Sequence, residues 1–271
     1  MQQMNLAICS LASGSSGNCF LIRNEDSVLL VDAGISAKQT ARDLSALGLS
    51  LGDVDAVLVT HEHTDHIKGL KAVCGASGAA VYASRGTLLG IPFSQELENV
   101  RAFAPGDTFR IGSIEVGTFP TSHDAADSTG FCFSAGGRKI VLVTDTGYVT
   151  KEAFQGMKGS DVLVLESNHD ESVLRMGRYP WFLKQRILSD RGHLSNEAAA
   201  NAVLELLKLE RLEGAEKSRL VLLAHLSKEN NFPQMALATM SNILAAEGFA
   251  PGGDLRIEVL SRTERSPLYI L

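Results

Sequence analysis

Eight short apolar runs divide the first half of the chain, at 5–11, 19–23, 27–32, 56–59, 79–83, 114–119, 130–135 and 139–144. Each is rich in Val, Ile, Leu and Phe and is bounded by Gly, Asp or Ser, which is the signature of strands and not of helices. Two more runs, 161–166 and 219–224, follow in the second half, and helical spacing recurs at 36–47, 66–76, 150–157, 195–212 and 232–247. Strand-rich pieces with helices returning at intervals predict an α/β fold of two mixed sheets packed face to face with helices outside, an αββα four-layer sandwich. No low-complexity linker and no tandem repeat interrupts the pattern, so residues 1–271 read as one domain. A composition of 45% hydrophobic and 21% charged residues excludes disordered, collagen-like and coiled-coil classes.

The four cysteines (Cys9, Cys19, Cys74, Cys132) form no C-x-x-C pair, and in a chain of this size they read as buried thiols of a reducing compartment. Met1-Gln2-Gln3-Met4-Asn5-Leu6 lacks a basic region followed by an apolar one, and no run of about 18 apolar residues occurs. A cytoplasmic protein with no membrane segment is the expectation.

Seven histidines are present, and three of them fall within six residues in Thr60-His61-Glu62-His63-Thr64-Asp65-His66, directly after the run 56–59. Given 7 His and 14 Asp in 271 residues, His-x-His-x-Asp-His arises by chance about 2 times in 10,000 such chains. A chain leaving a strand in a tight loop presents residues i and i+2 to one side, and the acid and histidine that follow turn to a second point. Imidazole and carboxylate suit Zn²⁺, Mn²⁺ or Fe²⁺, and four such groups exceed what one catalytic ion with an open position needs. Two divalent ions, Zn or Mn with Fe also possible, are therefore expected. Further candidate ligands stand at the ends of other apolar runs: His123 after 114–119, Asp145 after 139–144 and His225 after 219–224. Each alone reads as a hydrogen-bonded histidine or a turn aspartate. Beside the cluster, the metal reading gains weight.

Together with Leu30-Val31-Asp32-Ala33-Gly34, these residues, in this order, resemble the metallo-β-lactamase-fold superfamily over most of the chain. The resemblance implies His61, His63 and His123 on one metal, Asp65, His66 and His225 on a second, Asp145 bridging them, and a hydroxide between the metals as nucleophile. Asp32 would support the histidine loop. The superfamily hosts many chemistries, so the fold does not name the substrate.

Two further patterns narrow the branch. Arg191-Gly192-His193-Leu194-Ser195 with Leu223-Ala224-His225-Leu226-Ser227 resembles the RNase Z nucleases, where the extra histidine lies beside the scissile phosphate and an acid at the preceding strand end, here Glu166, orients it. Ser13-Gly14-Ser15-Ser16-Gly17-Asn18 with Glu166-Ser167-Asn168-His169-Asp170 and Gly177-Arg178-Tyr179-Pro180 resembles the YycJ/WalJ family end to end, a family associated with DNA 5′-exonuclease activity. The resemblance implies that His193 protonates the leaving oxygen and that Asp65 also takes the nucleophile's proton. Plainer readings stand beside these. Ser195 is a good N-cap, so the 191–195 loop could serve only to start a helix. The 13–18 segment is an ordinary turn composition, or a cradle in which Ser15, Ser16 and Asn18 meet a phosphate. His169 is either structural or a substrate contact.

A net charge of -6 argues against a nucleic-acid partner, whose binding draws on Lys and Arg. Distribution reverses this, because 172–193 carries Arg175, Arg178, Lys184, Arg186 and Arg191 against Asp190 alone. Arg175 and Arg178 are candidate substrate contacts, and Trp181 and Phe182 either stack on bases or belong to the core. Three functions follow: a DNA 5′-to-3′ exonuclease; a small-molecule hydrolase such as a glyoxalase II-like thioesterase, lactonase or nucleotide phosphodiesterase; and a non-catalytic binding module.

Overall fold

The computed structural model describes residues 5–271; Met1–Met4, on which part of the N-terminal reading falls, lie outside the described residues. The strands are β1 (Ala7–Ala12), β2 (Cys19–Arg23), β3 (Val28–Val31), β4 (Ala56–Val59), β5 (Ala80–Ser84), β6 (Val100–Phe103), β7 (Thr108–Ile111), β8 (Ile114–Pro120), β9 (Thr129–Ala135), β10 (Arg138–Val143), β11 (Val162–Glu166), β12 (Arg219–Ala224), β13 (Leu255–Val259) and β14 (Tyr269–Ile270). The α-helices are α1 (Ala37–Ser45), α2 (Thr64–Ile67), α3 (Leu70–Ser77), α4 (Arg85–Gly90), α5 (Lys151–Met157), α6 (Glu171–Met176), α7 (Trp181–Ile187), α8 (Asn196–Glu213) and α9 (Pro233–Ala246). Among the described residues the strands sort into two mixed sheets of seven. The expected α/β class with two mixed sheets is thus met.

Contacts divide the chain into two compact units. The first comprises Met1–Pro120, Ala125–Arg138 and Ser261–Leu271. Its large sheet runs β14-β1-β2-β3-β4-β5-β6, antiparallel from β1 to β3 and parallel from β3 to β6. All four residues of β4 are buried, and a strand buried on both faces reads as an unbroken apolar run. β8 instead alternates buried and half-buried positions and pairs antiparallel with β7 and β9. β6 and β7 lay outside the sequence expectation because Arg101, Thr108 and Arg110 occupy their exposed positions, leaving no apolar run to read. The expected helix at 66–76 is two helices, α2 and α3, parted at Gly69. A Cβ there would lie 1.9 Å from the Ile35 carbonyl oxygen, so no other residue fits.

The second unit comprises Thr121–Asp124 and Lys139–Leu260. Its strands β10, β11, β12 and β13 pair in parallel, and β11 and β12 are buried throughout. The helix α8 begins as expected, with the Ser195 hydroxyl accepting from the Ala198 N–H at 3.1 Å. Short helices α6 and α7 occupy the basic stretch, where polar residues hide the helical period. The thiols of Cys9, Cys19 and Cys74 are buried, and burial pushes Cys74 up to about 12; Cys132, expected to be buried, is half-buried on β9. No α-helix among the described residues is long and apolar enough to cross a membrane.

Three parallel strands end in the same way. Asp32 after β3, Asp145 after β10 and His225 after β12 all take left-handed backbone angles, with φ of 60°, 54° and 55°. Asp and His tolerate this region better than bulky residues do, yet it still costs free energy, and such conformations concentrate at functional sites. The reversal makes the chain leave the sheet sharply and leaves a polar side chain at the strand's carboxyl end.

One buried ion pair ties α8 to the start of β12. The Arg219 guanidinium donates two hydrogen bonds of 2.8 Å to Glu210, with the side chains 0% and 4% exposed. Removing one partner strands a buried charge. Arg219→Met is expected to cost about 3–5 kcal/mol in urea unfolding, and the double variant Arg219→Met/Glu210→Met to recover most of that loss.

Candidate functional site

In the first unit, the histidine loop leaves β4 and is held by Asp32. Thr60 N–H donates to Asp32 Oδ1 at 2.8 Å, the Thr60 hydroxyl donates to Oδ2 at 2.9 Å, and His66 Nδ1 lies 2.7 Å from Oδ2. His61 Nδ1 lies 3.0 Å from the same Thr60 hydroxyl. Burial raises the Asp32 pKa, and His66 and Thr60 act against that rise. Backbone bonds close the loop onto its neighbours: Ala33 N–H donates to the His66 carbonyl, Asn18 N–H to that of Asp65 and Gly69 N–H to that of Ala33, at 2.7–2.8 Å. The ring centroids of His63 and His66 stand 4.6 and 4.0 Å from that of His61. His61, His63, Asp65 and His66 therefore form one cluster, as their spacing predicts. The contact is so close that a Cβ on Gly34 would fall 1.7 Å from the Asp65 carbonyl oxygen.

In the second unit, the centre is Glu166, the last residue of β11 and wholly buried. His193 Nδ1 and His225 Nδ1 lie 2.8 and 2.9 Å from Oε1, while Thr146 N–H and Leu194 N–H donate to Oε2 at 2.9 and 3.3 Å. Burial alone would raise the pKa of this carboxyl; the two imidazoles outweigh it and hold the group far below the usual range. Burial likewise opposes charge on His193, but Glu166 beside it raises the pKa of that imidazole. Asp145 Oδ1 stands 3.4 Å from His225 Nδ1. His123 Nδ1 is 3.0 Å from the Gly192 carbonyl, and burial lowers its pKa, which keeps the ring neutral.

Four imidazoles are thus anchored through Nδ1: His61 by Thr60, His66 by Asp32, His123 by a carbonyl and His225 by Glu166. Anchoring Nδ1 fixes each ring and leaves Nε2 as the atom that could meet an ion, although on His66 that atom also lies 3.0 Å from Asn18 Nδ2. Each unit thus carries imidazoles and a carboxylate, Asp65 in the first and Asp145 in the second, of a kind suited to divalent transition ions.

Other expected residues land differently. Asn18 is 1% exposed, and its side chain is engaged within the protein. It accepts from Gly14 N–H at 2.9 Å, and its Nδ2 lies 3.0 Å from His66 Nε2. Asn18 thus braces the histidine loop. Ser15 and Ser16 are exposed at the tip of the turn closed by Gly17 N–H to the Gly14 carbonyl. His169 is 1% exposed, neither ring nitrogen has a hydrogen-bond partner among the described residues, and burial pushes its pKa down to about 4. Its backbone carbonyl receives Asn196 N–H at the start of α8. Arg175 and Arg178 are exposed.

Sequence reasoning missed the amides that hold these ligands. Asn168 Nδ2 donates to the His225 carbonyl at 2.9 Å, and Asn231 Nδ2 donates to the carbonyls of Ser167 and Asn168. The only signal was amide residues directly after an apolar strand, in Glu166-Ser167-Asn168.

Comparison with known proteins places the chain in a family. A family model described as the beta-lactamase superfamily domain matches residues 28–213. The chain is 42% identical over 256 residues to the exodeoxyribonuclease YycJ of Bacillus anthracis, covering 92% of this chain and 93% of that one. It is 38% identical over 273 residues to the exodeoxyribonuclease WalJ of Streptococcus pneumoniae, covering 99% of each. Among solved structures, the metallo-beta-lactamase fold protein YhfI of Bacillus subtilis superposes with a TM-score of 0.71 at 14% identity, over 98% of this chain and 99% of that one.

Two substitutions separate the loop's closure from its chemistry. Gly34→Ala forces backbone apart and is expected to destabilise the protein by at least about 1–3 kcal/mol in thermal or urea unfolding. Asp32→Ala is expected to lower affinity for a divalent ion by about 10–100-fold, read by competition with a chelator.

Proposed function

Because the chain belongs to the beta-lactamase superfamily and, within it, to the family of YycJ and WalJ, we propose that it is a divalent-metal-dependent nuclease. Its substrate on this reading is DNA, trimmed from a 5′ end. We assign His61, His63 and His123 to one ion, Asp65, His66 and His225 to a second, and Asp145 to both. Bound there, two cations, Zn or Mn with Fe also compatible, would polarise the phosphodiester and lower the pKa of water. The family model draws on residues from both compact units, which supports reading 1–271 as one hydrolase domain. Four cysteines without a disulfide support a cytoplasmic site of action.

The observation that carries the proposal is the Glu166–His193 pair, 2.8 Å apart, with Glu166 buried and the His193 side chain 21% exposed. A thioester hydrolase needs no proton donor of this kind on its leaving thiolate, whereas a departing 3′-alkoxide does. As the P–O3′ bond breaks, protonated His193 gives its outer proton to the oxygen. Glu166, bonded at Nδ1, stabilises the imidazolium and fixes the ring. Asp65, 26% exposed, is the chain's acceptor for the proton of the attacking water.

The test is incubation of the protein with 5′- and 3′-labelled single- and double-stranded DNA and RNA in the presence of Mn²⁺, Zn²⁺ or chelator. Metal-dependent release of the 5′ label from DNA is expected, and absence of cleavage of every strand overturns the reading. His193→Ala is expected to lower turnover by at least about 100-fold with metal content unchanged; loss of metal would make His193 a ligand. Glu166→Gln differs, because Glu166 also anchors His225. It is expected to lose both turnover and metal, measured by assay and elemental analysis.

A further inference from the structure

Four of the five cations in 172–193 already donate to neighbouring groups. Lys184 is buried and its Nζ donates to the Arg175 carbonyl at 2.7 Å; Arg175 pairs with Glu171 at 3.0 Å; Arg186 pairs with Asp124. Arg191 donates to the His123 carbonyl at 3.2–3.3 Å. Of the five cations, Arg178 alone makes no ion pair or hydrogen bond among the described residues, and it is exposed.

What the segment does present is apolar. Met176 is 82% exposed, Trp181 69% and Phe182 74%, so that three of the nine large hydrophobic side chains left exposed among the described residues fall within seven positions. The cause is local. Helix α7 buries Lys184 and Ile187, and Trp181 and Phe182, in its first turn, stay exposed. Met176 ends α6, and Gly177–Pro180 joins the two helices.

This exposed face belongs to the loop that the Glu166–His193 bond closes. The chain leaves β11 at Glu166, forms α6 and α7, and returns to Glu166 at His193. We propose that Trp181 and Phe182, with Met176 beside them, form a platform on which unpaired bases of a DNA strand stack while Arg178 meets the strand's phosphate. The proposal rests on the nuclease reading and deepens it: the strand would be held as a single strand, mainly through base faces and only weakly through charge. Stacking on aromatic rings suits any base, as an enzyme that trims arbitrary sequence requires.

Trp181 is the only tryptophan in the chain, so its emission reports on this face alone. The experiment titrates the protein with a phosphorothioate-linked oligothymidylate, which resists consumption, and with a blunt duplex of equal length. Saturable quenching by the single strand, and weaker quenching by the duplex, is expected. Trp181→Ala and Phe182→Ala should each weaken binding of a labelled strand, followed by anisotropy, by at least about fivefold. Trp181→Phe should retain most of it, and thermal melts should be unchanged because both side chains are exposed. Strand binding with no change in Trp181 emission overturns the platform. So does emission that shifts with protein concentration alone, together with a dimer in sedimentation that Trp181→Ala abolishes. The two readings fail separately: cleavage of DNA without a Trp181 response ends the platform and leaves the nuclease, whereas a Trp181 response without cleavage ends the nuclease and leaves the platform.

Discussion

A carboxylate with no access to water organises the second unit. Burying Glu166 as an anion would be costly in isolation, and the cost is offset by four donors: two imidazoles and two backbone N–H groups. Those donors come from three separate places, the turn after β10, the loop before α8 and the turn after β12. The charge therefore acts as a fixed point to which otherwise independent segments are referred. It also sets two imidazoles in different surroundings, since His225 is buried and His193 is partly exposed.

Asp32 plays the corresponding part in the first unit. It too is buried, sits at the end of a parallel strand and takes a left-handed backbone. It too anchors a histidine through Nδ1. Parallel strands explain the recurrence. Their carboxyl ends lie side by side, and each must give way to a connection that leaves the sheet, so polar side chains at successive ends gather without needing nearby sequence positions. The local cost of three positive φ angles is carried by the packed strands behind them.

Much of this was legible in the residues. Buried parallel strands appear as unbroken apolar runs, so β3, β4, β10, β11 and β12 could be read to within a residue or two. Chemistry-bearing residues at their ends could be named because the His-x-His-x-Asp-His cluster gave weight to histidines and aspartates that would read as ordinary turn residues alone. Half-exposed strands were not legible: β6, β7 and β13 carry arginine, threonine or glutamate outward, and period-two patterning over four or five residues is too short to stand out. Nor was the break between α2 and α3, which depends on how closely Gly69 approaches Ile35.

The sequence by itself determined the ligand types, their order and the strands that present them, because metal chemistry and strand burial both leave marks in residue identity. Only the tertiary structure decided partners. It engaged the Asn18 amide with His66, shut His169 away from solvent and joined Glu166 to two histidines instead of one. It also paired two of the five 172–193 cations with carboxylates and tied two more to carbonyls, while leaving Trp181 and Phe182 exposed. Hydrogen bonds and burial are properties of pairs brought together by the fold, and no single position in the chain records them.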